Sequence, residues 1–418
     1  MGEKIRIMRE TKGVSQAKLA EAVSYSAPRL SQIENDESPC PPDVLISIKK
    51  ALKLEGVPFY DLERQGFKDK LYRWHDTIND TDFDKAKKMQ EELSPITYLP
   101  FDKELNAFYS MFKCKLLLAV NDMPAAKEIL QSFDIVSEEP DYEILYHYYY
   151  NMGSLSYKTT QRKDALNYYL KAKEVMAYGF EGSARLHFNI ATCLISLGFV
   201  VSSILFLENV RELYSGGQAA VPSLRIDSMI AIGFIGLGQL PKAKKLLEKC
   251  LRTVESTKDE ALFGIILHNL GYLYRKAGDW NMSMEYLNQA TGHFTKGSSN
   301  YLENLYQKVR CLADMKAFST CTELLDEGKK LSADNKPYAI LFESVRCLIF
   351  PNDSKSVEYL ETVTIPYFLD IGENLTVLDY CEFLREHYER KGIVKKSGQM
   401  SEIARKIYKE MHSGGVIT

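Results

Sequence analysis

From residue 67 onward apolar positions return every three to four residues, the spacing of amphipathic helices, with no sustained period-two alternation of the kind a half-buried strand needs. The stretches come in pairs, near 67–92, 101–134, 141–178, 182–214, 220–255, 259–295, 299–332, 336–370 and 373–411, which predicts about nine helical hairpins. Residues 1–66 differ, with shorter helical patterns separated by tight turns. Gly66 marks the expected boundary, and Phe67 is expected to open the first long helix.

Within the long segment the pairs repeat. Five first-helix stretches align: Asn151-Met152-Gly153, Asn189-Ile190-Ala191, Met229-Ile230-Ala231, Asn269-Leu270-Gly271 and Gln307-Lys308-Val309. Their last residues stand 38, 40, 40 and 38 apart. A small residue follows at a fixed offset in each second helix: Ala165, Ser203, Ala243, Ser283 and Cys321. Small side chains at a helix crossing let two antiparallel helices approach closely. No hairpin can bury its apolar face alone, so neighbours must stack. The unit resembles the tetratricopeptide repeat, most clearly in His268 to Tyr274, Ala277-Gly278-Asp279-Trp280, Tyr286-Leu287 and Ala290. The resemblance implies an all-α chain in which residues 67–418 form a right-handed superhelix with a concave inner wall.

The first segment carries a second signature. Ile5-Arg6, Arg9, Lys12-Gly13-Val14-Ser15-Gln16 and Leu19-Ala20 are followed by Ser26, Leu30-Ser31-Gln32-Ile33-Glu34-Asn35, and then Pro42, Leu45, Ile48 and Ala51-Leu52. Ser15 and Ser26 suit helix N-caps, and Pro28 suits a first helical turn. Leu19, Ala20, Leu30, Ile33, Leu45, Ile48 and Leu52 have the spacing of one small core. The pattern resembles the lambda-repressor/Cro-like (XRE) helix-turn-helix family and covers residues 1–66 as a DNA-binding domain. Gln16, Lys18, Ser26, Ala27, Pro28, Arg29, Ser31 and Gln32 are the expected DNA-contact residues. Arg29 and Gln32 have the donors to read base edges, whereas Arg6, Arg9, Lys12 and Lys18 suit phosphates. In the turn where the family has a glycine of positive φ this chain has Ser24-Tyr25, and Asp36 replaces the usual glycine after the recognition helix.

Charge sharpens this reading. The 418 residues carry a net charge of −3, so DNA affinity must come from a local face. Residues 1–66 hold ten Lys/Arg against ten Asp/Glu, a net of zero. One copy is therefore expected to bind weakly, and specific binding to need two copies on a two-fold symmetric site. The eight cysteines are scattered with no C-x-x-C pair, which argues against a zinc site or a disulfide framework and for a reducing compartment, the cytoplasm. No signal peptide or membrane span is expected, and no cofactor. Gly233-Phe234-Ile235-Gly236-Leu237-Gly238 lacks a preceding strand, the seven histidines have no ligand spacing, and no nucleophile motif is present, so the chain is not expected to be an enzyme.

The repeat register assigns candidate ligand contacts. The residue two before each crossing position is expected to face the inner wall; it is Asn151, Asn189, Met229, Asn269 or Gln307. A single carboxamide there suits a hydrogen bond to a neighbouring helix as well as a ligand, but its recurrence at one register position favours contact with the backbone of an extended peptide. With charged and aromatic neighbours, the expected peptide-binding set is Asn151, Arg185, Asn189, Arg225, His268, Asn269, Tyr272, Gln307 and Arg310. His147, Tyr150, Tyr157, Phe188 and Arg275 lie nearby in register. Reader plus repeats resembles the peptide-responsive quorum-sensing regulators of Gram-positive bacteria, and the length fits the branch with about nine hairpins. That resemblance implies a short signalling peptide in the groove, a homodimer or larger assembly, and operator DNA as partners. Two alternatives share the design: a phage or conjugative-element repressor, and a bifunctional regulator that also acts on a response regulator of the sporulation phosphorelay.

Overall fold

A computed structural model describes residues 1–54, 56–80, 82–93, 101–133, 141–176, 184–211, 220–350 and 353–413, and every regular element among them is helical. The hairpin limits expected at 134, 178, 182 and 214 lie outside the described residues. The chain forms two compact units, Met1–Leu155 with Lys171–Glu181, and Ser156–Leu170 with Gly182–Thr418.

The first unit opens with four short helices: α1 (Gly2–Thr11), α2 (Gln16–Ala22), α3 (Ala27–Glu34) and α4 (Pro42–Ala51). Ile5, Leu19, Leu30, Ile33 and Ile48 close their core with at most 2% exposure. That core continues without a gap through Val57, Phe59, Phe67, Leu71 and Trp74. These belong to the run-up to α5 (Asp61–Asn79) and to α5 itself, which α6 (Phe83–Leu93), α7 (Lys103–Ala119), α8 (Met123–Ser132) and α9 (Tyr142–Lys158) follow. Helix α5 therefore starts six residues before Phe67, and Gly66 lies inside it. Glu63 explains the early start: its carboxylate accepts from the backbone N–H of Phe59 (2.8 Å) and Tyr60 (3.3 Å), satisfying donors that a helix start leaves open.

The second unit contains α10 (Arg162–Met176, in part), α11 (Ala184–Ser196), α12 (Val200–Arg211), α13 (Ala220–Gly236), α14 (Leu240–Val254), α15 (Glu260–Lys276), α16 (Trp280–Thr291), α17 (Ser299–Asp314) and α18 (Phe318–Leu331). Then come α19 (Lys336–Ile349), α20 (Ser354–Tyr359), α21 (Ile365–Asp370), α22 (Asn374–Arg390) and α23 (Val394–Ser413). First helices α11, α13, α15, α17 and α19 pack side by side, and α12, α14, α16 and α18 each pack against their own first helix and the next. This is tetratricopeptide-type stacking.

Two local devices enforce the repeat. At each hairpin turn one residue adopts the left-handed conformation: Thr160, Gly198, Gly238, Gly278 and Lys316, with φ of 66°, 88°, 70°, 79° and 59°, at intervals of 38, 40, 40 and 38 residues. The chain then closes a Schellman pair, as where the Gly278 N–H donates to the Arg275 carbonyl (3.1 Å) and the Asp279 N–H to that of Tyr274 (3.0 Å). Asp279 next caps α16 by accepting from the Met282 N–H at 3.1 Å. At the crossings Ala165, Ser203, Ala243, Ser283 and Cys321 are fully buried. A Cβ on Gly271 would sit 2.6 Å from Leu287 Cγ, so α15 and α16 meet closer than an alanine there allows.

The pair expected at 336–370 departs from regularity. Its second helix is split into α20, a π-helical turn over Leu360–Thr364, and α21. Pro366 has no N–H for the helical ladder, and the wider turn accommodates that loss. The last hairpin, α22 with α23, also returns to the beginning of this unit. Glu373 pairs with Arg162 (2.8 Å), and the Asn374 amide donates to the Leu197 carbonyl (3.0 Å). No helix among the described residues is long and apolar enough to cross a membrane.

Candidate functional site: DNA reader and repeat wall

In the reader, α2 starts at Ser15, whose hydroxyl accepts from the Lys18 N–H at 3.2 Å. The turn before α3 places Ser24 at φ 53°, and Asp36 after α3 at φ 57°. Both positions thus have the left-handed backbone that glycine would adopt freely, and Ser24 carries the steric cost of its Cβ. Replacing Ser24 with glycine should raise the unfolding free energy of the reader by about 0.5–1 kcal/mol, read as a higher urea midpoint at unchanged slope. A lower midpoint would show that the Ser24 side chain contributes more than its backbone costs.

Helix α3 buries Leu30 and Ile33 and turns its other side outward, with Ser26, Pro28, Arg29 and Gln32 exposed and Ala27 and Ser31 half-buried. Ser26 is the N-cap residue by backbone geometry, yet its hydroxyl makes no cap bond. The Arg29 guanidinium lies 5.8 Å from the Tyr25 ring centroid, a contact that restrains a long side chain at the start of the helix. Lys18 is exposed on α2. The structure thus gathers the expected DNA-contact residues on α2 and the outward side of α3.

Arg9 does not belong with them. Its guanidinium is buried, with Nε and Nη2 donating to the two Glu34 oxygens at 2.7 and 2.8 Å and Nη1 to the Val14 carbonyl at 3.0 Å. An arginine so engaged cannot reach a phosphate. Its hydrogen bond to Glu34 holds its pKa above the usual arginine value. Gln16 joins the same pair, its Nε2 donating to Glu34 Oε2 at 2.9 Å. Glu34 therefore ties α1, α2 and α3 together and orients Gln16, a role the sequence reading missed. The available signal was spacing: Ile5, Met8 and Arg9 form one helical stripe, which puts Arg9 on the core side of α1.

On the repeats, the register position lies in the seam between first helices. Asn151, in the first unit, is 1% exposed and donates to the Met111 carbonyl at 2.8 Å. In the second unit, Asn269 donates to Ser228 Oγ at 2.8 Å. Gln307 accepts from Arg275 Nε at 3.0 Å and donates to Glu303 at 2.9 Å. Each of the three carboxamides is thus buried and engaged in holding helices together, rather than facing the inner wall as their recurrence led one to expect, and Met229 fills the same position with a buried apolar chain. Other expected residues are more accessible. Arg185 is exposed and Asn189 half-buried on α11. Arg225 on α13 pairs with Asp259 at 3.2 Å while remaining 40% exposed. His268 Nδ1 is 3.0 Å from Asn304 Oδ1. Tyr272 lies against the Arg275 guanidinium, and burial pushes its hydroxyl up to about 12. Arg310 donates to the Tyr306 hydroxyl at 3.0 Å. His268, Asn269, Tyr272, Gln307 and Arg310 thus come together on neighbouring α15 and α17, whereas Asn151 belongs to the other unit.

All eight cysteines are free, and burial pushes Cys114, Cys193, Cys250 and Cys347 up to about 12, the state of an inert packing thiol. No group of His, Cys, Asp and Glu among the described residues could hold a metal ion. Gly233 and Gly236 lie within α13, and a Cβ on Gly233 would meet Ile204 at 2.7 Å, so this glycine serves helix packing.

Comparison with known proteins places both parts. Residues 1–59 match the family described as helix-turn-helix domain. The transcriptional activator NprA of Geobacillus stearothermophilus is 22% identical over 408 residues, spanning 93% of this chain and 98% of NprA. A Rap protein in complex with competence and sporulation factor superposes with a TM-score of 0.70 at 15% identity, covering 83% of this chain and 99% of that one. NprR in complex with its cognate peptide NprX superposes at 0.68 with 21% identity, covering 82% and 99%. Residues 1–59 thus carry a helix-turn-helix domain, the array behind them has the fold of NprR and Rap, and the chain as a whole is similar to NprA over nearly its full length.

Proposed function

We propose that DNA binding by residues 1–66 is switched by a short peptide held on the wall of the 67–418 array, within the second unit. The observation that carries this reading is the array itself: its fold is that of NprR, a protein solved with its cognate peptide on it. Exposed Arg185 and half-buried Asn189, Arg225, His268, Tyr272 and Arg310 supply charge, amide and ring groups for such a ligand. Asn269 and Gln307 stand in the seam behind them, where a ligand that re-forms their hydrogen bonds would alter the packing of neighbouring first helices. Binding energy that differs between two arrangements of the helices is what shifts a population, and the shift cannot exceed that difference. On the DNA side, Gln16, Lys18, Ser26, Ala27, Pro28, Arg29, Ser31 and Gln32 contact the operator, in two copies related by a two-fold axis.

The test uses the full chain and an operator selected from random duplexes. Affinity is measured by fluorescence anisotropy with and without linear peptides of five to eight residues encoded beside the gene. A matching peptide should change operator affinity by at least about fivefold, the lower range of allosteric coupling. Unchanged operator affinity across the set would sink the switch, and leave a regulator without this ligand.

A further inference from the structure

Residues of α17, α19 and α22 enclose a cavity of about 270 Å³, lined by Arg310, Ala313, Asp314, Leu348, Asp379, Tyr380 and Phe383. One cation, Arg310, and two carboxylates line it, and both carboxylates are already paired with cations of α15 beside the cavity. Arg275 Nη1 pairs with Asp314 at 3.2 Å, and Lys276 pairs with Asp379 at 3.8 Å. Arg310 is the lining cation, and among the described residues no carboxylate accepts a hydrogen bond from it. Its Nη1 donates to the Tyr306 hydroxyl, and its guanidinium lies 5.9 Å from both the Tyr306 and Tyr380 ring centroids. Its Nε is buried and has no hydrogen-bond partner among the described residues. The two tyrosine hydroxyls are 3.2 Å apart, which fixes the rings that hold the guanidinium in place.

A half-buried cation with a buried, unmet donor is costly, and an anion able to accept from it recovers that cost. Phosphate suits the place poorly, because Asp314 and Asp379 would repel a dianion. A single carboxylate suits it well, since guanidinium and carboxylate match in shape and charge. Leu348, Ala313 and Phe383 add an apolar wall beside the charge. We propose that this cavity binds a monocarboxylate carried next to an apolar group, as at the C-terminal residue of a short peptide. The proposal rests on the groove reading above and assigns one end of that ligand. An acidic side chain offers the same chemistry, and the probes below separate the two sources.

Isothermal titration of the full chain should use three small probes: N-acetyl-L-phenylalanine, its primary amide, and N-acetyl-L-aspartyl-L-phenylalanine amide. The free acid should bind about tenfold tighter than the primary amide, as loss of a charge-assisted pair implies. Tight binding of the aspartyl amide in place of the free acid would assign the carboxylate to a side chain and overturn the C-terminal assignment. Arg310→Gln should erase the acid-over-amide preference, and Arg310→Lys, which keeps the charge, should retain part of it. Equal affinity for acid and amide in the unmodified chain overturns the site without recourse to any variant. Should a peptide shift operator affinity equally with a free or an amidated end, the switch stands and this subsite falls. Should the acid bind through Arg310 while no peptide moves operator affinity, the subsite stands and the switch falls.

Discussion

Glu34→Ala should cost the reader about 3–5 kcal/mol, enough to unfold much of residues 1–59 and abolish operator binding. The expectation follows from what the substitution leaves behind. Glu34 is 1% exposed and accepts three hydrogen bonds, two from Arg9 and one from Gln16. Without it the Arg9 guanidinium, 8% exposed, keeps only the Val14 carbonyl and a long contact to Glu10. An uncompensated buried charge is far more damaging than a missing pair, so the double variant Arg9→Met, Glu34→Leu should recover much of the loss. Gln16→Ala is the contrasting case, with an effect on stability near 1 kcal/mol and a larger one on operator affinity. Urea unfolding followed by tryptophan emission reports on this unit in a Trp280→Phe background, which leaves Trp74, fully buried in the core that runs on from the reader, as the emitter. A Glu34→Ala midpoint matching less than about 1 kcal/mol would mean that Arg9 finds water or another acceptor, and that the pair is not what fastens α1 to α3.

The repeat was legible because it is written in steric terms. A left-handed residue and a small residue per hairpin leave fixed intervals, and the turn geometry of Thr160 through Lys316 reproduces the intervals read from the first helices. Spacing also placed Leu30 and Ile33 inward and Arg29 and Gln32 outward on α3. Polar residues were harder. A motif gives Arg9 and Lys12 the same label, yet one is buried against Glu34 and the other is exposed, and only the partner across 25 positions of chain decides which. The carboxamides show the same limit: periodicity locates Asn269 and Gln307 on their helices, but Ser228 and Arg275 on the preceding helices determine where the amides point. The start of α5 was missed because Glu63 caps it from within, leaving Gly66 as an exposed helical residue whose added Cβ would meet nothing. The break in the second helix of the 336–370 pair follows from Pro366, a signal present in the sequence and weighted too lightly.

Glu373→Ala should have the second large effect, and on the array alone. Stacked repeats interact with their neighbours only, so such arrays fray from their ends and unfold in parts when no contact joins distant repeats. This array has such a contact. Arg162 Nε reaches Glu373 across 211 positions at 2.8 Å, the same guanidinium lies over the Tyr157 ring at 3.9 Å, and its side chain is only 10% exposed. The Asn374 amide adds a second buried bond, to the Leu197 carbonyl. Removing Glu373 strands the Arg162 charge and should cost about 3 kcal/mol, against a few tenths for an exposed pair such as Arg405 with Glu402. The form of the loss discriminates further. With α22 released from α11, the second unit should unfold in two steps rather than one, and amides of α22 and α23 should exchange with solvent ahead of those of α15 and α16. Glu373→Gln, which keeps an acceptor but not the charge, should fall between the two. A single transition shifted by less than about 1 kcal/mol would show that neighbour packing alone carries the array, and that its last hairpin rests on the first helices without holding them.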